Sequence, residues 1–400
     1  MNIYVYNCPN TFNYGSMMMG ENFISYFNKI SGKKNKYFVE TTDEINVKRL
    51  IEATGVEEIY PVPIEYVFKE GTKRYDYLFA YVRMKNVVSD FIKKIDLVVV
   101  LGGDDFADDH GWKKSILIIL NGIKFNLLKR ESLKVIMLGQ TMGPYRSFRK
   151  PVMKRLLSKI DKIYSRDPIT FNHLDNLGLK NAKATDDLAL LPLAKQQEKK
   201  RTKEYITFCP SELIYRHSRE GKREDWLDFN LFMIDKVMEK YREQKLVLLA
   251  HVLKPAHVDD RLMVNELYGL VKDKYGERVI CEDRELYPYQ VRNYLQQSLF
   301  TISSRMHPVI SSMQCEIPAI ALSYSSKYWG IIGERYGLED YILDVRYLSY
   351  KEMKERFVHL IEKIELEYED IQRKMREKNK LAEESIMKAL EEIATLRGAK

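Results

Sequence analysis

The chain has 400 residues, 45% hydrophobic and 30% charged, enough for a sizeable core and two to three domains, and its net charge of +8 suits an anionic substrate, an acidic glycan or an anionic membrane surface as well as plain solubility. Cys8, Cys209, Cys281 and Cys315 lack Cys-x-x-Cys spacing, which argues against zinc and dithiol redox sites and fits a reducing cytoplasm. No basic stretch precedes an apolar run at the amino terminus, so no signal peptide is expected, and Asn121, Lys124 and Asn126 interrupt the most apolar window, 115–128, below the ~18 residues of a membrane span.

In chain order, Ile3–Asn7 reads as a strand, followed by the turn Asn13-Tyr14-Gly15-Ser16 and a helix to about Ile30. Ile95–Leu101 and Leu133–Leu138 are apolar strands, ending in Gly102-Gly103 and Gly139-Gln140. Runs apolar on both faces belong to parallel sheets covered by helices. The charge-dense stretch 195–204 has no core face and reads as a linker. Tyr205–Cys209, Leu246–Ala250, Phe300–Ser303 and Ile317–Leu322 then restart the alternation of strands and helices. Met353, Phe357, Leu360, Ile361 and Ile364, then Ile386, Leu390 and Ile393, recur at helical spacing. The expected fold is α/β: a Rossmann-like domain over 1–194, the linker, a second Rossmann-like domain over 205–348, and a helical tail over 349–400 that packs back on the domains.

In such sheets ligands bind beyond the carboxyl ends of the strands. Arg305 and His307 fall in a strand-to-helix turn, with Pro308 suited to the first helical turn. The helix start, a guanidinium fork and an imidazole would together suit an anion and a proton transfer. The alternative is an arginine paired with a local acid and a histidine capping its helix. Gly139-Gln140-Thr141-Met142-Gly143-Pro144 allows close approach of backbone to a ligand, or forms a structural turn. Arg166 could hold an anion or pair with Asp167 or Asp186, and Lys327 could bind an anion or be solvated. His251 opens another strand-end loop. The segment Gly102–His110, with Asp104, Asp105, Asp108 and Asp109, could hold a divalent metal or cap and solvate a loop; no metal is expected. Dinucleotide, P-loop, zinc-protease and nucleophile-elbow motifs are absent, and aromatics do not interleave with a basic stripe, which argues against nucleic acid.

Taken in order, these segments resemble the polysaccharide pyruvyl transferase family. Asn13-Tyr14-Gly15-Ser16 resembles its Asn-x-Gly-Asp/Ser loop, and Gly102-Gly103 its glycine turn. Gly139–Pro144 resembles Gly-Gln-x-x-Gly-Pro, and Ser165-Arg166-Asp167 with Leu174, Leu177 and Gly178 resembles its Arg-Asp segment. Asp186 resembles a family aspartate. Arg305-Met306-His307, Pro318, Tyr324 and Lys327 resemble the carboxyl-terminal Arg-x-His…Pro…Tyr-x-x-Lys. The chain departs at Ala107, at its doubled aspartates, and at Thr170, where the family has serine.

The resemblance implies a GT-B-like fold with a cleft between the domains. It implies transfer of pyruvate from phosphoenolpyruvate to two hydroxyls of a sugar, with no further cofactor. By the same resemblance His307 is the general acid. Arg305, Lys327 and Arg166 bind the donor anion. Gly102, Gly103, Gly139 and Gln140 line the acceptor side, and Asn13, Gly15, Ser16, Asp104, His251 and Tyr324 complete the substrate contacts. The acceptor would be a saccharide, free or lipid-linked, met in the cytoplasm or at the inner membrane face; a homo-oligomer is left open. A GT-B nucleotide-sugar glycosyltransferase is the rival enzyme, and a scaffold assembling through the helical tail is the rival without catalysis.

Overall fold

The computed structural model describes residues 1–8, 10–32, 34–108, 111–198 and 201–396. Thirteen strands among them form two sheets, and every strand pairing is parallel. The first sheet contains β1 (Asn2–Tyr6), β2 (Lys36–Val39), β3 (Ile59–Pro61), β4 (Leu97–Ala107), β5 (Lys134–Gly143), β6 (Lys162–Ser165) and β7 (Ala182–Ala184). Its order is β3-β2-β1-β4-β5-β6-β7. The second contains β8 (Tyr205–Cys209), β9 (Lys245–Leu249), β10 (Val279–Glu282), β11 (Ser298–Ser303), β12 (Ala319–Ser323) and β13 (Ile342–Asp344), in the order β10-β9-β8-β11-β12-β13. Both are Rossmann-like, with the progression of strand order, not strand direction, reversing between β1 and β4 and between β8 and β11.

The central strands form because they are apolar on both faces. Val98, Val99, Val100 and Leu101, and Val135 to Leu138, are fully buried, as a helix-covered parallel sheet requires. Two strands run further than expected. β4 continues through Gly102-Gly103-Asp104-Asp105 to Ala107, and β5 through Gly139-Gln140 to Gly143. The glycines are therefore inside the ladder, and the presumed strand-end loops begin later. The register shifts between Gly103 and Phe106, yet Phe106 pairs Met142 and Ala107 pairs Gly143. Those apolar residues are buried and hold the strands together beyond the glycines.

The chain divides into two compact units. The first comprises Met1–Thr11, Met19–Leu188 and Ala382–Lys400; the second comprises Phe12–Met18 and Ala189–Leu381. Phe12–Met18 fall within the 1–194 span expected for the first domain, but their contacts lie in the second unit. Leu253 N donates to Phe12 O at 2.9 Å, and the Tyr14 hydroxyl accepts from Leu286 N at 2.8 Å. The tail is one helix, Tyr350–Thr395, and its eight expected apolar positions are all buried. Residues of it up to Leu381 belong to the second unit and later ones to the first.

Candidate functional site

In the first unit the sequence-selected residues come together and largely satisfy one another. A Cβ on Gly102 would lie 2.3 Å from Gly139 O, and Gly139 has a positive φ of 73°. These glycines let β4 and β5 approach closely. Gly103 is packed likewise, since its Cβ would meet Asn7 Nδ2 at 2.7 Å. Gln140 is fully buried, and its Nε2 donates to Val100 O and Leu101 O at 3.1 and 2.7 Å. Its side chain ties the two strands together.

Arg166 is paired with neither Asp167 nor Asp186. Its Nη1 donates to Asp187 Oδ2 at 2.7 Å and its Nε to Thr141 Oγ1 at 2.9 Å, with both ions of the pair buried. Asp167 instead caps the helix Pro168–Asn176, accepting from Thr170 N at 2.8 Å. The Thr170 hydroxyl donates to the same carboxylate at 2.8 Å, so the threonine supplies the hydroxyl a serine would. Asp186 accepts from Ser385 Oγ on the tail helix.

Within the acidic segment Asp104 is half-buried and Asp105 exposed, whereas Asp108 is held by Arg149, whose Nε lies 3.1 Å away. Asp109 and His110 lie outside the described residues. Among the described residues no group of three or more His, Cys, Asp or Glu could hold a metal ion.

Sequence reasoning missed a polar cluster at the carboxyl ends of β1 and β2. Lys124, buried, donates to the Tyr6 hydroxyl and sits 3.8 Å from the ring centroid. Asn7 N donates to Glu40 Oε2 at 2.9 Å. Burial raises the Glu40 carboxyl and lowers the Lys124 amine, bringing both toward neutrality. The signal was there: Lys124 was one of the residues breaking the apolar window.

The second unit gathers the remaining set around the carboxyl ends of β9, β11 and β12. β11 ends at Ser303, and the helix Met306–Gln314 starts with Arg305 as its N-cap residue and Pro308 in its first turn. Asn13 bridges Val252, and Tyr14 N donates to His251 O at 3.3 Å. Asn13 Oδ1 also accepts from Ser16 N at 3.4 Å, shaping the helix start. The consequence is close packing of Gly15 on His307: a Cβ there would lie 2.1 Å from His307 Nδ1. Two motifs nearly 300 residues apart in the chain thus form one wall.

Arg305 has an acid partner that the sequence did not name. Its Nη2 donates to Asp260 Oδ1 at 2.8 Å and to Val258 O at 2.8 Å, and its Nε reaches both carboxylate oxygens at 3.2 Å. Burial alone would lower its pKa, but Asp260 outweighs it and the pKa is raised, so the guanidinium stays charged. Asp260 also accepts from Val252 N at 2.9 Å, tying this cation to the segment that carries His251.

His251 is buried, with the Tyr14 ring edge-on at 5.5 Å between centroids. Burial first, then the charges of His307 and Arg305, hold its pKa well below the usual range, so it is neutral. Lys327 is half-buried, 3.5 Å from the Tyr324 hydroxyl, and Tyr324 stacks on His217 at 5.1 Å. Tyr328 donates its hydroxyl to Ser304 O at 3.1 Å. Among the described residues here, His251 Nε2, Ser304 Oγ and Ser325 Oγ are buried with no hydrogen-bond partner. Buried polar groups are nearly always satisfied, so these are atoms that a polar guest could meet. The two serines were not singled out from sequence, where each is one hydroxyl beside a motif residue.

Comparison with known proteins follows the same segments. Residues 13–326 match the polysaccharide pyruvyl transferase family. The amylovoran biosynthesis protein AmsJ of Erwinia amylovora is 23% identical over 278 residues, spanning 65% of this chain and 64% of AmsJ, just under two thirds of its length. The UDP-GlcNAc 2-epimerase of Neisseria meningitidis bound to UDP-GlcNAc superposes with a TM-score of 0.55 at 12% identity, covering 97% of this chain and all of that one. Phytolacca americana UGT2 complexed with UDP-2fluoro-glucose and pterostilbene gives 0.58 at 8% identity, over 98% and 99%. At such identity these two structures speak to the fold alone, which is GT-B-like. With the match running from the Asn13 turn through Lys327's neighbour Ser326, over most of the chain, this protein belongs to the polysaccharide pyruvyl transferase family.

Proposed function

We propose that the protein transfers pyruvate from phosphoenolpyruvate to two hydroxyls of a sugar in a surface polysaccharide or its precursor, making a cyclic ketal. The observation that carries this is the second sheet's edge. A helix start, a permanently charged Arg305, Lys327 and the hydroxyls of Ser304 and Ser325 offer cations and donors to a small, multiply charged anion.

In this reading His307 gives its proton to the methylene carbon of the donor, which becomes a methyl group. The adjacent carbon gains oxocarbenium character, and a sugar hydroxyl adds there, its proton returning to the imidazole. Phosphate then leaves with the C–O electron pair as the second hydroxyl closes the ring, and that hydroxyl's proton goes to solvent or phosphate. Gly15 fixes the imidazole's position. Neutral His251 beside it adds no competing charge. Arg305, already bound by Asp260, acts chiefly by its field on the donor and by shaping the loop. The acceptor, free or lipid-linked, is met on the cytoplasmic side.

The test is phosphate release from phosphoenolpyruvate in the presence of candidate glycans, with donor binding followed by calorimetry. Acceptor-dependent release supports the reading. Stabilisation by UDP- or GDP-sugars with none by phosphoenolpyruvate would move the assignment to a nucleotide-sugar transferase.

A further inference from the structure

The segment between β3 and β4 in the first unit carries a short helix, Asp76–Val82. Its inner face is anchored. Ala80 is buried in the apolar core, with Tyr77 and Tyr81 packed against it. Arg130 holds its carboxyl end, donating to Tyr81 O at 2.8 Å and Ala80 O at 3.3 Å, and Lys159 donates to the Tyr81 hydroxyl at 2.8 Å.

The outer face runs against the usual pattern. Tyr75, Leu78, Phe79 and Val82 stand at i, i+3, i+4 and i+7, one helical stripe, and all four are exposed. Tyr75 and Val82 keep 73% and 70% of their surface open, and Met84 just beyond keeps 73%. Single exposed apolar residues are ordinary, but a continuous stripe on a helix already anchored by its other face is a contact surface.

Charge says what the stripe meets. Between Lys73 and Lys85 stand four cations, Lys73, Arg74, Arg83 and Lys85, all exposed, against one acid, Asp76. That acid is occupied in its own turn, accepting from Lys73 N at 2.7 Å. Aromatic and aliphatic side chains bracketed by cations match the boundary between acyl chains and anionic headgroups. A second copy of the chain fits worse, because a two-fold contact through this stripe would bring like charges together.

We propose that the stripe Tyr75–Met84 docks the protein on an anionic phospholipid surface. The proposal gives the reading above a reason for a lipid-linked acceptor, and rests on it for that reason only. Vesicle binding is measured with neither substrate present, so the two fail separately.

The experiment is co-sedimentation of the full chain with vesicles of phosphatidylglycerol and phosphatidylcholine in roughly equal parts, and with phosphatidylcholine alone. Binding to the anionic vesicles, weakened by salt, is expected. The variant Leu78→Ser/Phe79→Ser/Val82→Ser should lose about tenfold or more in partitioning, with its melting temperature preserved because these side chains are exposed. Arg83→Glu/Lys85→Glu should lose most on the anionic vesicles. No binding by the unaltered chain, or equal binding by the stripe variant, overturns the proposal. So does a stripe-dependent dimer in sedimentation velocity without vesicle binding, which would assign the face to a second copy.

Discussion

The carboxyl edges of the two sheets carry similar-looking motifs and use them differently. In the first sheet the glycines close a gap between strands, Gln140 ties their backbones, and Arg166 is consumed by buried Asp187. In the second, Gly15 seats an imidazole, and polar atoms of His251, Ser304 and Ser325 are left without a partner. A glycine or an arginine at a strand end is thus not informative by type. What separates the two edges is what holds these particular side chains: strand backbones and a buried acid in the first, a glycine and a loop aspartate in the second.

Substitutions can break that contrast. Changes in the second unit's set should act on turnover, and changes in the first unit's set on stability. The largest effect is expected for His307→Ala, which should lower kcat by about 10²–10⁴-fold while leaving the melting temperature nearly unchanged. Retained turnover would remove the imidazole from the chemistry. Arg166→Ala should cost about 3–5 kcal/mol in denaturant unfolding, because the buried Asp187 carboxylate would lose its cation. A stable variant with weakened donor binding would instead place Arg166 in the site.

Gly15→Ala forces the His307 ring to move, and should reduce kcat by about 10²-fold through misplacement alone. Ser304→Ala and Ser325→Ala should each weaken phosphoenolpyruvate binding about tenfold in calorimetry while shifting stability by less than ~1 kcal/mol, since no internal bond is lost.

The smallest effect is pH dependence. His251 has a folded pKa below its unfolded value of about 6.5, so the unfolded chain binds the extra proton. Its contribution to stability is therefore full above pH ~6.5 and is lost progressively as pH falls below that, down to the folded pKa. The melting temperature should drop over this window and drop less in His251→Asn.

Much of this fold is legible in local sequence. Apolar runs such as Val98–Leu101 and Tyr205–Cys209 can only be buried strands, and the tail's periodicity can only be an amphipathic helix. Strands β2, β3, β7, β10 and β13 are short and less patterned, so composition did not separate them from loops. Pairings were less accessible still. Nothing near Arg305 in the chain points to Asp260, 45 residues away, and nothing near Arg166 prefers Asp187 over its neighbour Asp186. That Gly102 faces Gly139 O follows from strand register, which a run of glycines does not encode. The contact of Gly15 with His307 depends on a bridge between Asn13 and Val252. Arg305 and His307 are legible from their strand-to-helix turn alone, and several of the other candidate residues are also family motifs.

The assignment of Phe12–Met18 to the second unit has a practical corollary. Followed from end to end, the polypeptide changes unit four times: after Thr11, Met18, Leu188 and Leu381. A fragment cut at the obvious place, Ala189–Leu381, would retain Arg305, His307 and Lys327 but be missing the glycine against which the imidazole rests. Dissecting this protein by truncation would therefore split the candidate set, and complementation would need the short amino-terminal peptide supplied or grafted.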